Sequence, residues 1–84
     1  MARRLYKPGA LVESRNTKFE KGFGIILTGP HDEKAWYSAD HTIENFMVHW
    51  FKKPSPIERW QWNKSVTRNF KMTKNQIKIV RSTA

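Results

Sequence analysis

Cysteine is absent from the 84 residues. That absence removes disulfide staples, thiol nucleophiles and cysteine-type zinc sites together, and it fits a reducing compartment. Long apolar runs are missing too: no stretch approaches the ~20 residues that cross a bilayer, and Met1-Ala2-Arg3-Arg4 is followed by no signal-peptide core. The expectation is a soluble, cytoplasmic protein with no membrane partner. Acidic side chains are scarce, seven Asp and Glu against sixteen Lys and Arg, for a formal net charge of +9. None of the seven lies in an apolar run of the kind that tunes a general acid or base, and His31, His41 and His49 have no spacing that forces two of them together. The chain therefore reads as a non-enzyme with no cofactor and no metal.

What is present is aromatic and basic. Four Trp, five Phe and two Tyr supply the packing material. Each buried aromatic removes about 150–250 Å² from water, so packing alone can hold the single core that one short domain supports. Residues 1–84 are read as that one domain, with a basic tail at 1–6 and a polar tail at 82–84. The two halves differ in charge. Residues 1–42 hold seven basic and five acidic side chains, a balance of +2, while residues 43–84 hold nine and two, a balance of +7. Such a field attracts phosphate backbones, anionic lipid or acidic protein surfaces.

The centre of the chain is Phe46-Met47-Val48-His49-Trp50-Phe51, rich in aromatic and β-branched residues and read as the middle strand of a sheet. Alternation sends Phe46, Val48 and Trp50 to one face and Met47, His49 and Phe51 to the other. Upstream, Lys7-Pro8-Gly9 is a turn signal, 10–15 a first strand, and 16–21 a charged loop. Gly22-Phe23-Gly24 opens a second strand, 23–28, at a point where the backbone must bend or pass close to a neighbour. Residues 29–45 read as a long irregular loop, ended from the strand by Gly29-Pro30 and pinned to the body by Trp36 and Tyr37. Lys52 to Pro56 is a basic hairpin connection. Glu58 to Asn63 alternates, with Trp60 and Trp62 on one side, and is expected to form a strand paired with the central one. Residues 64–72 alternate weakly through Val66, Phe70 and Met72 and read as an irregular loop or a frayed extra strand, the loop being favoured. Thr73-Lys74-Asn75-Gln76 has capping-box spacing, which places one helical turn before a closing strand, 77–81. Val48, Trp50, Ile25, Leu11 and Ile79 are the expected core.

Lys7-Pro8-Gly9-Ala10-Leu11-Val12, Gly22-Phe23-Gly24-Ile25-Ile26-Leu27, Met47-Val48-His49-Trp50-Phe51 and Asn75-Gln76-Ile77-Lys78-Ile79-Val80, in that order, resemble an SH3-like barrel. The pattern is similar to small SH3-like proteins of tailed bacteriophages and, more distantly, to Tudor and KOW-type barrels. The resemblance implies an all-β fold: a small five-stranded antiparallel barrel with a long loop after the second strand and one short helical turn before the last. It departs from the family at Ala10, where an acidic residue is usual, and at Lys52–Pro56, which widens a tight turn and makes it basic. For a phage protein it implies the host cytoplasm or the virion as location. The superfold binds RNA, DNA, proline-rich peptides, methylated side chains or virion partners, so it implies a fold and not an activity.

Function has to come from the residues. Cations interleave with aromatics through the second half, and Lys52, Lys53, Arg59, Lys64, Arg68 and Lys71 are the candidate nucleic-acid-binding set. Cations neutralise phosphates without reading sequence, and exposed aromatics stack on unpaired bases. Weak, sequence-tolerant nucleic-acid binding is the first expectation. The alternative is a protein-interaction module, either a phage virion component or a regulator docking on an acidic surface of a host protein. Trp36, Tyr37 and Phe51 are then the candidate partner-binding groove.

Overall fold

The long hairpin organises the molecule. In the structure, a computed structural model that describes residues 6–15 and 21–82, the elements run β1 (Leu11–Ser14), β2 (Phe23–Ala35), β3 (Ser38–Lys52), α1 (Arg59–Lys64), β4 (Asn69–Thr73), a 3-10 turn (Lys74–Gln76) and β5 (Ile77–Arg81). The expected N-terminal tail before Tyr6 and most of the charged loop at 16–21 lie outside the described residues. The five strands form one antiparallel sheet in the order β4-β3-β2-β1-β5. Among the described residues β4 and β5 stand at its two edges, and no helix is long and apolar enough to cross a membrane.

The expected loop at 29–45 is a correction. Both strands of the hairpin continue through it, with Asp32 opposite Glu44 and Lys34 opposite Thr42, and the chain turns only at Trp36-Tyr37. Gly29-Pro30, read as a terminator, falls where the register slips between Thr28 and His31, so the missing proline N–H interrupts the ladder without ending it. Both faces of this arm are polar and mostly exposed, and a strand with two wet faces shows no apolar alternation.

The core behaves as the central strand predicts on β3. Phe46, Val48 and Trp50 are fully buried, Met47 and His49 are half-buried, and Phe51 is exposed. Val12, Ile26, Met72 and Ile77 join them, with Tyr6, Ala10 and Ile57 closing the cluster and Trp62, Phe70 and Ile79 packed against it. Leu11, Ile25 and Ile79, expected inside, are only half-buried. Ile26 pairs with inward Val48, whereas Ile25 pairs with outward His49, and this register settles a choice that the unbroken run Ile25-Ile26-Leu27 leaves open. At the mouth of β2 the expected close approach is present: Pro54 crosses over Gly22, and the Trp50 ring lies against Gly24. The Lys7-Pro8-Gly9 turn is closed by the Ala10 N–H donating to the Lys7 carbonyl at 3.0 Å.

The connection from β3 to β4 holds the second correction. Residues 58–63, expected as a strand, instead supply the N-cap and most of the helix α1, and the strand that pairs with β3 is β4, which falls almost wholly within 64–72, where a loop is favoured over an extra strand. The Glu58 N–H donates to Gln61 Oε1 at 3.0 Å, and Thr73 N–H to Gln76 Oε1 at 2.9 Å, so the same i,i+3 reach starts both helical pieces. Six residues fit either period. A strand would have placed Trp60 and Trp62 side by side; the helix separates them, so Trp62 stacks on Phe70 with centroids 6.2 Å apart while Trp60 is 64% exposed. Trp62→Ala is accordingly expected to cost about 2–3 kcal/mol and Trp60→Ala about 0.5 kcal/mol or less, compared by urea denaturation. Equal losses at the two positions would contradict this packing.

Candidate nucleic-acid interface

The six cations predicted for binding divide into two groups. Lys52, Arg59 and Lys64 are exposed and have no salt bridge or hydrogen bond among the described residues. The other three are engaged. Lys53 Nζ donates to the carbonyls of Ile57 at 2.8 Å and Pro54 at 3.3 Å, bracing the turn that leads into α1. Lys71 Nζ sits 2.8 Å from Glu33 Oε1 and ties β4 to the hairpin arm. Arg68 stacks its guanidinium 4.3 Å over the Trp62 ring and donates to the Trp62 carbonyl, so it closes the exit of α1. Its backbone is left-handed, with φ 61°, and its carbonyl accepts from the Trp50 N–H at 3.0 Å.

On α1 the geometry brings cations and an aromatic together. At about 100° per residue, Arg59, Asn63, Trp60 and Lys64 fall within roughly 140° of the helix circumference. Gln61 and Trp62 occupy the half-buried remainder. No carboxylate lies within the helix, whose sequence is Arg-Trp-Gln-Trp-Asn-Lys. Trp60 thus stands flanked by two cations, a grouping that the strand reading hides by placing Trp60 and Arg59 on opposite sides. The Glu58…Gln61 spacing is the sequence signal that points to it. Lys52 lies at the other end of this connection, where it is the register partner of Phe23.

The predicted partner groove does not form. Trp36 and Tyr37 occupy the hairpin tip, whereas Phe51 lies at the opposite end of β3 against Phe23 (5.9 Å) and His49 (5.2 Å). Nor is the tip pinned: Trp36 is 94% and Tyr37 60% exposed, and the two rings meet edge-on at 5.6 Å. The β-ladder holds the arm without them. Between the arm and the 3-10 turn lies an open polar cleft of about 580 Å³, bordered by Asp32, Tyr37 and Glu44 on one side and Thr73, Lys74 and Asn75 on the other.

The histidines serve local contacts. His31 Nε2 is 3.0 Å from Thr28 Oγ1, His49 Nδ1 is 2.8 Å from Asn69 Oδ1, and the His41 ring lies 5.8 Å from Tyr37. Among the described residues no three His, Asp or Glu side chains gather as metal ligands. Charge is strongly segregated. Residues 28–45 carry one cation, Lys34, against Asp32, Glu33, Asp40 and Glu44, a balance of −3. The remainder of the chain carries fifteen against three, a balance of +12. Comparison of the chain with protein families, with curated proteins and with solved structures found no match.

Proposed function

We propose that the protein is a non-catalytic module that binds nucleic acid weakly and with little sequence preference, in single strands before duplex. The observation that carries this reading is the exposed side of α1, where Trp60 stands between Arg59 and Lys64 with no carboxylate in the helix. Cations release counterions from a phosphate backbone whatever its sequence, and an exposed indole stacks on any unpaired base. The antiparallel five-stranded sheet and the 3-10 turn before β5 support carrying the SH3-like resemblance forward as part of the reading. Of the predicted set, Arg59 and Lys64 on α1 are assigned to phosphate, with exposed Lys52 at the other end of the connection as a separate cation, while Lys53, Arg68 and Lys71 are assigned to holding the fold.

Titration of labelled single- and double-stranded oligonucleotides at low and high salt tests this. Affinity is expected to fall steeply with salt, and the double variant Arg59→Ala, Lys64→Ala to lower the slope of log K against log salt by roughly 0.7–0.9 for each phosphate it leaves unneutralised. Trp60→Ala is expected to leave that slope unchanged and to weaken single-strand binding by about 1–3 kcal/mol. No binding at low salt, or binding that salt leaves untouched, removes the nucleic-acid function.

A further inference from the structure

A second surface is unaccounted for by the nucleic-acid reading. The outer face of the sheet, away from α1 and the core, exposes Phe23, Leu27, Phe51 and Val80 around half-buried Leu11, Ile25 and Met47. The carboxylate on it, Glu13, is held by Lys21 at 3.2 Å and stands opposite Lys78 across the β1–β5 pairing, with Lys52 adjoining Phe51. It is an apolar field with a cationic surround. The hairpin tip has the opposite character: the bare Trp36 and Tyr37 side chains project from an arm of charge −3.

We infer that the occupant of the outer sheet face is the hairpin tip of a second copy of this chain, so that copies associate head to tail. Apolar area meets apolar area while the −3 arm meets a face edged by Lys21, Lys52 and Lys78, and both forms of complementarity are carried by one sequence. The contact is heterologous: each copy offers one tip and one face, and the two are different surfaces. Assembly therefore runs on past the dimer, into a ring if the rotation closes and a filament if it does not. The inference does not depend on nucleic acid, and it leaves the exposed side of α1 open.

Sedimentation of nucleic-acid-free protein across a concentration series, at low and high salt, reads it directly. The weight-average mass is expected to climb from the 10.0 kDa chain past the dimer value at low salt and to fall back as salt rises. Trp36→Ser and Phe51→Glu are each expected to weaken association by at least about tenfold, without loss of the far-ultraviolet circular dichroism of the fold, because both side chains are exposed. Mixed together, these two variants should form a heterodimer and stop there, since each pair retains one intact tip and one intact face. Three results overturn the inference: a monomer at every concentration, association indifferent to Trp36→Ser, or no complex in the mixture. Asp40→Lys, which lowers the negative charge of the arm without touching an aromatic, should weaken association in the same direction, and an unchanged mass would count against it.

Discussion

Replacing Phe46 by alanine is expected to cost about 3–5 kcal/mol, a large part of what holds a domain this small together. Phe46 is fully buried, its ring lies 5.7 Å from that of Tyr6, and its backbone pairs with Met72 on β4. The side chain therefore joins the N-terminal segment, the hairpin and an edge strand, and no neighbour can collapse into its space without moving one of the three. The cost combines lost transfer free energy with a cavity that stays open. Urea denaturation followed by tryptophan fluorescence measures it, with Phe51→Ala as the control, since Phe51 is 56% exposed on the same strand. A Phe46→Ala protein within about 1 kcal/mol of the parent would show that the core tolerates collapse there.

The second large effect is expected from the smallest addition. A Cβ on Gly24 would stand 2.5 Å from the His49 carbonyl oxygen, 3.0 Å from the Trp50 ring and 3.1 Å from a Val48 methyl. The nearest obstacle is backbone in the central strand, which cannot swing aside as a side-chain tip would. Gly24→Ala would otherwise gain from a less flexible unfolded chain, by about 0.4–1 kcal/mol. Overpacking at about 1–3 kcal/mol outweighs that gain. A drop in melting temperature of about 4–8 °C per kcal/mol is the expected reading, and a rise would mean that β2 moves away from β3 freely.

The parts legible in the residues are those where one face is dry and the other wet. Phe46 to Phe51 alternates cleanly, and the structure buries the inward set. The turn at Lys7-Pro8-Gly9, the glycines at the mouth of β2 and the Thr73…Gln76 turn carry local chemistry that needs no partner to read. Where both faces are alike, periodicity says nothing. The hairpin arm is polar on both sides, so it resembles a loop; Ile25-Ile26-Leu27 is apolar on both, so nothing in the run marks Ile26 rather than Ile25 as the inward residue. At Arg59–Lys64 a six-residue stretch matches two periods, and the Trp60/Trp62 alternation favours the strand that does not form.

The candidate interface shows the same division. Composition locates the cations, and the +7 balance of residues 43–84 points to the half of the chain that holds α1. It does not separate cations that hold the fold from those that face solvent. Lys53 reaches two carbonyls and Arg68 a tryptophan ring, contacts decided by where the β3–β4 connection turns back on the sheet. Trp36, expected to dock, stands bare instead, because the ladder below the tip already holds the arm in place.

By itself the sequence determined the all-β class, the central strand and its two faces, the helical turn before β5, and the strongly basic charge. These rest on period-two alternation, on turn and cap spacing, and on counting, all of which act within a few residues. Only the tertiary structure decided which residue of each apolar run turns inward, that the arm extends as a hairpin, that α1 separates Trp60 from Trp62, and which lysines remain exposed. Those outcomes depend on cross-strand register and on carbonyls and rings supplied from far along the chain, whose positions no local pattern encodes.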